Sequence, residues 1–463
     1  MVERETWATR VGFLVAAIGS AVGLGNLWQF PFKTAENGGA AFVAFYLVAV
    51  VLIGFPAMLA EFVIGRRTNV NAIDAFASLG HRNWRVVGGL AVATGFWILS
   101  YYNVVGGWVL RYILGSATGA YFDAPAEYFG AVSSGPEAVL AQALFLGVAT
   151  AIVAFGIENG IERATKVMVP SIIVIMLVLA GWAATLVGAG EGYAYFLTPS
   201  LDAMGENAGT AIPFAVGQAF FTLSLGMAIM ITYSSYVGED DSLPFDGGVI
   251  VVTNTLVGIL AGLVVFPILF ANDIDLALTG GGGAAALFVA VAAGFAELPF
   301  GETLGVVFFT VVLVAALSSA ISLMEVTVSW AVDNFDYSRP TLAVSVGLGL
   351  FALGLPSAWD TAWLTWFDNL AYSLFLPVSV LAVVVFVGWV IGRDALDELR
   401  RGTGGLGSFG PVWLWTLRVV VVLGVLGTLA LGVYELFLQA DPTGVPPLLA
   451  GTPSPLLVGW LTL

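Results

Sequence analysis

The chain has 463 residues, 59% hydrophobic and only 10% charged, more apolar surface than a water-soluble core of this size could bury. Its net charge of -16, with two lysines, argues against a basic nucleic-acid surface and suits the high-salt cell of a halophilic prokaryote, where screening weakens self-repulsion; drift in loop composition is the plain alternative. There is no cysteine and one histidine, His81, so disulfides, thiolate or histidine metal sites and a histidine-based triad are excluded; with no nucleophile–base pair either, an enzyme is not expected.

In chain order, apolar runs begin near Val11, Ala40, Val87, Glu137, Val167, Ala211, Gly247, Leu304, Thr341, Thr361 and Val412. Each is about 20 residues or more, enough to cross a hydrocarbon core of ~30 Å, so eleven membrane spans are expected. The proline-rich tail, 439–463, is too short for a confident twelfth, and the first run has no small-residue cleavage site of a signal peptide. Arg4, Arg10, Arg66, Arg67, Arg82, Arg85, Arg163, Lys166, Arg339, Arg393, Arg400 and Arg401 all fall on one side of these runs. Only Lys33 and Arg111 fall near the other. Positive loops stay in the cytoplasm, which predicts an all-α, multi-pass protein of the cell membrane with its N-terminus inside and, after eleven spans, its C-terminus outside.

Two runs are interrupted. In the first, "SAVGLGNLWQFPF" (Ser20 to Phe32), Gly19, Gly23 and Gly25 bracket Asn26 near mid-span. The sixth carries Gln218, Thr222, Ser224 and Gly226 at its centre. Small and polar residues are common where membrane helices pack, which is the plain explanation. Unsatisfied polar groups in lipid cost several kcal/mol each, so clusters this dense persist where they line a polar cavity. Interrupted spans at matching places, here the first and sixth, point to an inverted repeat with a binding site at its interface.

The stretches "WATRVGF" and "GSAVGLGNLWQFPF…AENGGAAF" resemble the first helix of the neurotransmitter:sodium symporter family, in its bacterial and archaeal amino-acid branch. "SYYNVVGGW" resembles the third helix of that family, "GQAFFTLSLGMA" the sixth and "ALSSAISLMEV" the eighth, and the likeness runs from Trp7 to about Val390. The resemblance implies one transporter domain with a five-plus-five inverted repeat: 1–190 and 205–395, then an eleventh helix at 411–438 and the tail. It implies sodium-coupled import of a small amine-bearing solute by alternating access.

By the same resemblance, one sodium ion would be held by the Ala21 carbonyl, Asn26, Thr222 and Asn254, with the substrate carboxylate completing the shell. A second would be held by carbonyls of Gly19, Val22 and Ala315 and hydroxyls of Ser318 and Ser319; helix packing is the plain alternative for the two serines. The substrate carboxylate would meet backbone amides at Leu24 and Gly25, where a half-helix begins, and the hydroxyl of Tyr102. Its ammonium would meet carbonyls near Ala21, Phe221 and Thr222 and the Ser224 hydroxyl. Relatives that carry monoamines have aspartate where this chain has Gly23, so the substrate should bring its own carboxylate. Ile98, Phe221, Met227, Ser319 and Leu323 would surround its side chain, an apolar lining that favours a hydrophobic or aromatic amino acid.

The outer gate of the family is an arginine facing an aspartate; this chain has Gln29 and Asp368. The inner gate matches Arg4, Trp7, Tyr236 and Asp333. Glu61 matches a glutamate that hydrogen-bonds the unwound part of the sixth helix. Tyr46, Gln218, Thr222 and Asn254 match the chloride pocket of the family, but Gly258 is neither the serine of chloride-dependent members nor the acid of independent ones. A membrane sensor that binds an amino acid without moving it is the chief rival reading, and a channel the next. The expected partners are the amino acid and the bilayer, with the protein a monomer or a homodimer.

Overall fold

The structure, a computed structural model, describes residues 7–274, 284–439 and 442–449. Among them every regular element is helical. Two helices, α1 (Arg10–Ala21) and α2 (Gly25–Glu36), meet at a bend of 43°. They are followed by α3 (Ala40–Thr68), α4 (Arg85–Thr118), α5 (Gly135–Ala154), α6 (Ile157–Ala183), α7 (Leu201–Thr222) and α8 (Ile229–Ser234). Then come α9 (Leu243–Ala271), α10 (Gly301–Asn334), α11 (Arg339–Trp359), α12 (Thr361–Ile391) and α13 (Phe409–Leu438). Eight of these helices are long and apolar enough to cross a membrane, nine with the bent pair. The other two expected spans are present as helix, but Tyr101, Tyr102 and Asn103 dilute α4, and the sixth is split into α7 and α8.

Most helices start within four residues of their expected runs, and polar caps precede several of the apolar stretches. Ser242 and Ser338 accept from amides in the first turn, and Asp360 accepts from Ala362 N at 2.9 Å. Two starts differ more. Helix α6 begins at Ile157 rather than near Val167, since Glu162 and Arg163 lie inside it, and α7 begins at Leu201 rather than near Ala211, taking in Asp202, Glu206 and Asn207. Arg4 and most of the tail lie outside the described residues.

The helices α4, α5, α10 and α11 pack on one another and form a wall. Helix α1 lies against α10, α6 and α9, while α7 and α8 lie against successive parts of α3. This arrangement sets the bend between α1 and α2 beside the gap between α7 and α8, with α4 and α10 closing the other side.

Candidate binding site between two interrupted helices

The first interruption is short. Helix α1 ends at Ala21, Val22 turns extended (φ -81°, ψ 91°), and α2 restarts from Leu24. Asn26 stabilises the restart by accepting from Gly23 N at 3.3 Å. The second interruption runs from Leu223 to Ala228, with Ser224, Gly226 and Ala228 at φ 55°, 75° and 62°. Left-handed backbone at two residues other than glycine is uncommon and marks a segment held by its surroundings. Glu61 on α3 is one such holder: its Oε1 accepts from Gly226 N at 2.7 Å.

The two breaks hold each other. Ser224 Oγ donates to Ser20 O at 3.0 Å and lies 3.2 Å from Ser20 Oγ. Gln218 Nε2 donates to Gly25 O at 2.9 Å. From α10, Ser319 Oγ donates to the same Ser20 carbonyl at 2.9 Å. Tyr102 Oη on α4 accepts from Leu24 N at 3.2 Å. Ser20, Leu24, Tyr102, Ser224 and Ser319 line a cavity with Ala21, Gly23, Gly25, Ile98, Phe221, Met227, Ile229 and Leu323. Its volume is about 20 Å³, room for about one water molecule.

Around this cavity, two clusters of oxygens form. In the first, one end of the Asn254 carboxamide lies 3.0 Å from Ala21 O, 3.2 Å from Thr222 O and 2.9 Å from Asn26 Nδ2. Read as nitrogen, that end donates to both carbonyls. Read as oxygen, it accepts from Asn26 and joins two carbonyls in a group that repels itself unless a cation lies among them. Its oxygens, from Ala21, Thr222 and Asn254, are all neutral and suit a hard monovalent or divalent cation, while Asn26 faces them with its Nδ2. In the second cluster, Ser318 Oγ lies 2.7 Å from Gly19 O, 2.9 Å from Ala315 O and 3.4 Å from Val22 O. Ser319 does not join it; its hydroxyl points into the cavity side instead.

Gly23 faces the cavity closely. A Cβ there would come within 2.2 Å of Ser319 Oγ and 3.1 Å of Tyr102 Oη. The gates are a mixed picture. Trp7 Nε1 donates to Tyr233 O at 3.0 Å and its ring stands edge-on to Tyr233 and Tyr236, while Asp333 accepts from Asn71 Nδ2 at 2.9 Å. Outside, Gln29 and Asp368 do not meet: Asp368 Oδ1 accepts from Tyr101 Oη at 2.9 Å, and the buried Gln29 Oε1 has no hydrogen-bond partner. The hydrogen bond that Asp368 makes on this side is thus to Tyr101. Of the chloride set, Gln218 spends its amide on Gly25, and Tyr46 is buried against Phe30.

Sequence reasoning missed Ser20, Tyr101, Ile229 and Glu162. Ser20 is a polar residue directly before the break, a signal that was legible. Glu162 Oε2 accepts from Ala8 N at 2.9 Å and Oε1 from Thr9 Oγ1 at 3.0 Å, across more than 150 residues, and no local pattern announces it.

An all-helical membrane bundle with two interrupted helices around a small polar hollow is the architecture of a secondary transporter. The family model described as the sodium:neurotransmitter symporter family matches residues 4–123 and 133–440. The uncharacterised sodium-dependent transporter YhdH of Bacillus subtilis is 34% identical over 438 residues, 91% of this chain and 96% of its own. The uncharacterised sodium-dependent transporter MJ1319 of Methanocaldococcus jannaschii is 35% identical over 416 residues, 86% and 84% of the two chains. The crystal structure of MhsT in complex with L-phenylalanine matches with a TM-score of 0.82 and 38% identity, covering 93% of this chain and 100% of MhsT. The chain belongs to the sodium:neurotransmitter symporter family. It is a multi-pass membrane transporter of a sodium-dependent family, not an enzyme.

Proposed function

We propose that the protein is a sodium-coupled symporter that imports a hydrophobic or aromatic amino acid by alternating access. The observation that carries this reading is the pairing of an amide-lined hollow at Leu24 and Tyr102 with an adjacent oxygen cluster at Ala21, Thr222 and Asn254, against which Asn26 rests; with a turn of its amide, Asn26 joins them in the proposed first sodium site. A carboxylate placed at Leu24 N and Tyr102 Oη would also reach a cation in that cluster. Neither charge is well solvated there without the other, which couples the two bindings. The second cluster, at Gly19, Val22, Ala315 and Ser318, is the proposed second sodium site, with Ser319 left to the substrate.

Gly23 supports an amino-acid substrate, because the space an aspartate would need is taken by Ser319 and Tyr102. The cavity is too small for a large side chain as it stands, so Phe221 and Met227 would move aside; methionine is well suited to such refilling. That MhsT was solved with L-phenylalanine favours the same class. The halves 1–190 and 205–395 are proposed as the inverted repeat, with 411–438 as the last span. The N-terminus is proposed to be cytoplasmic and the C-terminus outside. At the Tyr46, Gln218, Thr222 and Asn254 pocket proposed for chloride, Gly258 supplies neither a hydroxyl nor a charge.

The test is a thermal-shift screen of the twenty amino acids in sodium and in potassium, since a ligand that binds only the folded protein raises its Tm. The reading expects a shift with leucine-like or aromatic amino acids in sodium alone. Equal shifts in both salts, or none with any apolar amino acid, would overturn it.

A further inference from the structure

The outer side of the hollow poses an electrostatic problem. Asp368 is part-buried, Tyr101 bonds only its Oδ1, and Gln29 brings no charge and does not reach it. One helical turn beyond Gln29 on α2 lies Lys33, a position that shares the same face of the helix. Its side chain is 18% exposed, and its ammonium lies 2.9 Å from Glu36 Oε2. It also lies 4.8 Å from the ring centre of Phe214 on α7 and 5.1 Å from that of Phe32. Phe214, which carries the Lys33 ammonium, has its ring centre 6.4 Å from that of Tyr372 and accepts at its carbonyl from Tyr372 Oη at 2.9 Å, and Tyr372 lies one turn from Asp368 on α12.

We propose that Lys33 is the cation of the outer latch, and that closing the latch carries its ammonium from Glu36 to Asp368. The Lys33–Glu36 pair is a contact within one helix at the rim, of the kind worth little and readily exchanged. A flexible four-carbon stem lets the ammonium swing while its methylenes stay against Phe214. At Asp368 the ammonium would take Oδ2, opposite the Tyr101 hydroxyl. The more enclosed setting makes that pair the stronger one once water is excluded. The latch then joins α2 to α12 and closes over Phe221, as an arginine at position 29 would, but from one turn further out.

The idea rests on alternating access as proposed above, so its test reads access and needs no substrate. The chain has no cysteine, so an Ile98→Cys form carries a single thiol in the hollow. Whole cells expressing it are labelled with a membrane-impermeant maleimide in sodium, and the rate is read on the purified protein. Lys33→Gln in this form should raise the labelling rate about five-fold, as expected for a partly exposed pair near the top of its range. Lys33→Arg should keep the parent rate, and Gln29→Arg added to Lys33→Gln should restore it. Asp368→Asn should raise the rate similarly, with no further rise on adding Lys33→Gln. An unchanged rate in Lys33→Gln, equal acceleration by Lys33→Arg, or additive effects with Asp368→Asn would overturn the proposal. If labelling behaves as expected while no amino acid binds, the latch stands and the substrate reading falls.

Discussion

Gly226 donates its backbone N–H to Glu61 Oε1 at 2.7 Å, tying the left-handed turn between α7 and α8 to the unbroken helix α3. Both groups are fully enclosed, so the bond is part of what lets a transmembrane helix stop halfway. Removing the carboxylate leaves a buried donor with no partner, at a cost of about 1–3 kcal/mol. Glu61→Ala should lower the Tm markedly and weaken ligand binding, while Glu61→Gln, which keeps an acceptor oxygen, should lie between it and the parent. Thermal unfolding of the three proteins in sodium checks this; equal Tm values for Glu61→Ala and the parent would deny the bond its role.

Asn26 occupies two roles at once, accepting from Gly23 N and placing its Nδ2 against Asn254. Asn26→Ala removes the carboxamide that rests against the first oxygen cluster and the cap of the α2 restart. The sodium-dependent rise in Tm should vanish in this variant, while the potassium value falls by less. A sodium shift of parental size would move the first ion site elsewhere.

Gly23 leaves little space for any side chain. Gly23→Ala should reduce amino-acid affinity at least ten-fold with a smaller effect on folding, because Ser319 can rotate away only by giving up Ser20. Gly23→Asp, in addition, sets a fixed carboxylate where the substrate's own would sit, and should abolish amino-acid binding. Calorimetric titration with a ligand found in the thermal screen measures both. Undiminished binding to Gly23→Asp would refute the placement of the substrate carboxylate.

Outside the spans, Asp74 is held by a small network. Burial pushes its carboxyl up, but hydrogen bonds from Asn71 and Asn334 and the adjacent Arg85 outweigh this and hold it below the ordinary range. A lowered folded value stabilises the protein above the unfolded value of about 3.9, and that contribution is lost as the pH falls through the folded value. Asp74→Asn should therefore be less stable than the parent at pH 7, and the difference should shrink in acid below pH ~4. A Tm difference independent of pH would contradict the network's electrostatic character.

Much of the site was legible in the chain, for a physical reason. A backbone that unwinds in lipid must find polar partners, so the glycines around Asn26 and the run Gln218 to Gly226 stand out against apolar surroundings. The motif resemblance then carried the register, and the structure brings Gly19, Val22, Ala315 and Ser318 together across nearly 300 residues of chain. What stayed hidden are choices that only packing makes. Ser319 turns to Ser20 rather than to its neighbour's cluster, Asp368 takes Tyr101 rather than Gln29, and Glu162 grips the start of α1. Each depends on rotamers and helix rotation, which leave no periodic trace. The early starts of α6 and α7 were missed for a simpler cause: their first turns are polar, and an apolar run begins later than its helix.

Uptake of a radiolabelled apolar amino acid into proteoliposomes, with an inward sodium gradient and with none, tests the central claim most directly. The account predicts accumulation above the outside concentration that collapses when the gradient is dissipated and is absent from Asn26→Ala. Binding without uptake would make the protein a sensor, and equilibration that ignores the sodium gradient would make it a channel; either result contradicts sodium-coupled symport.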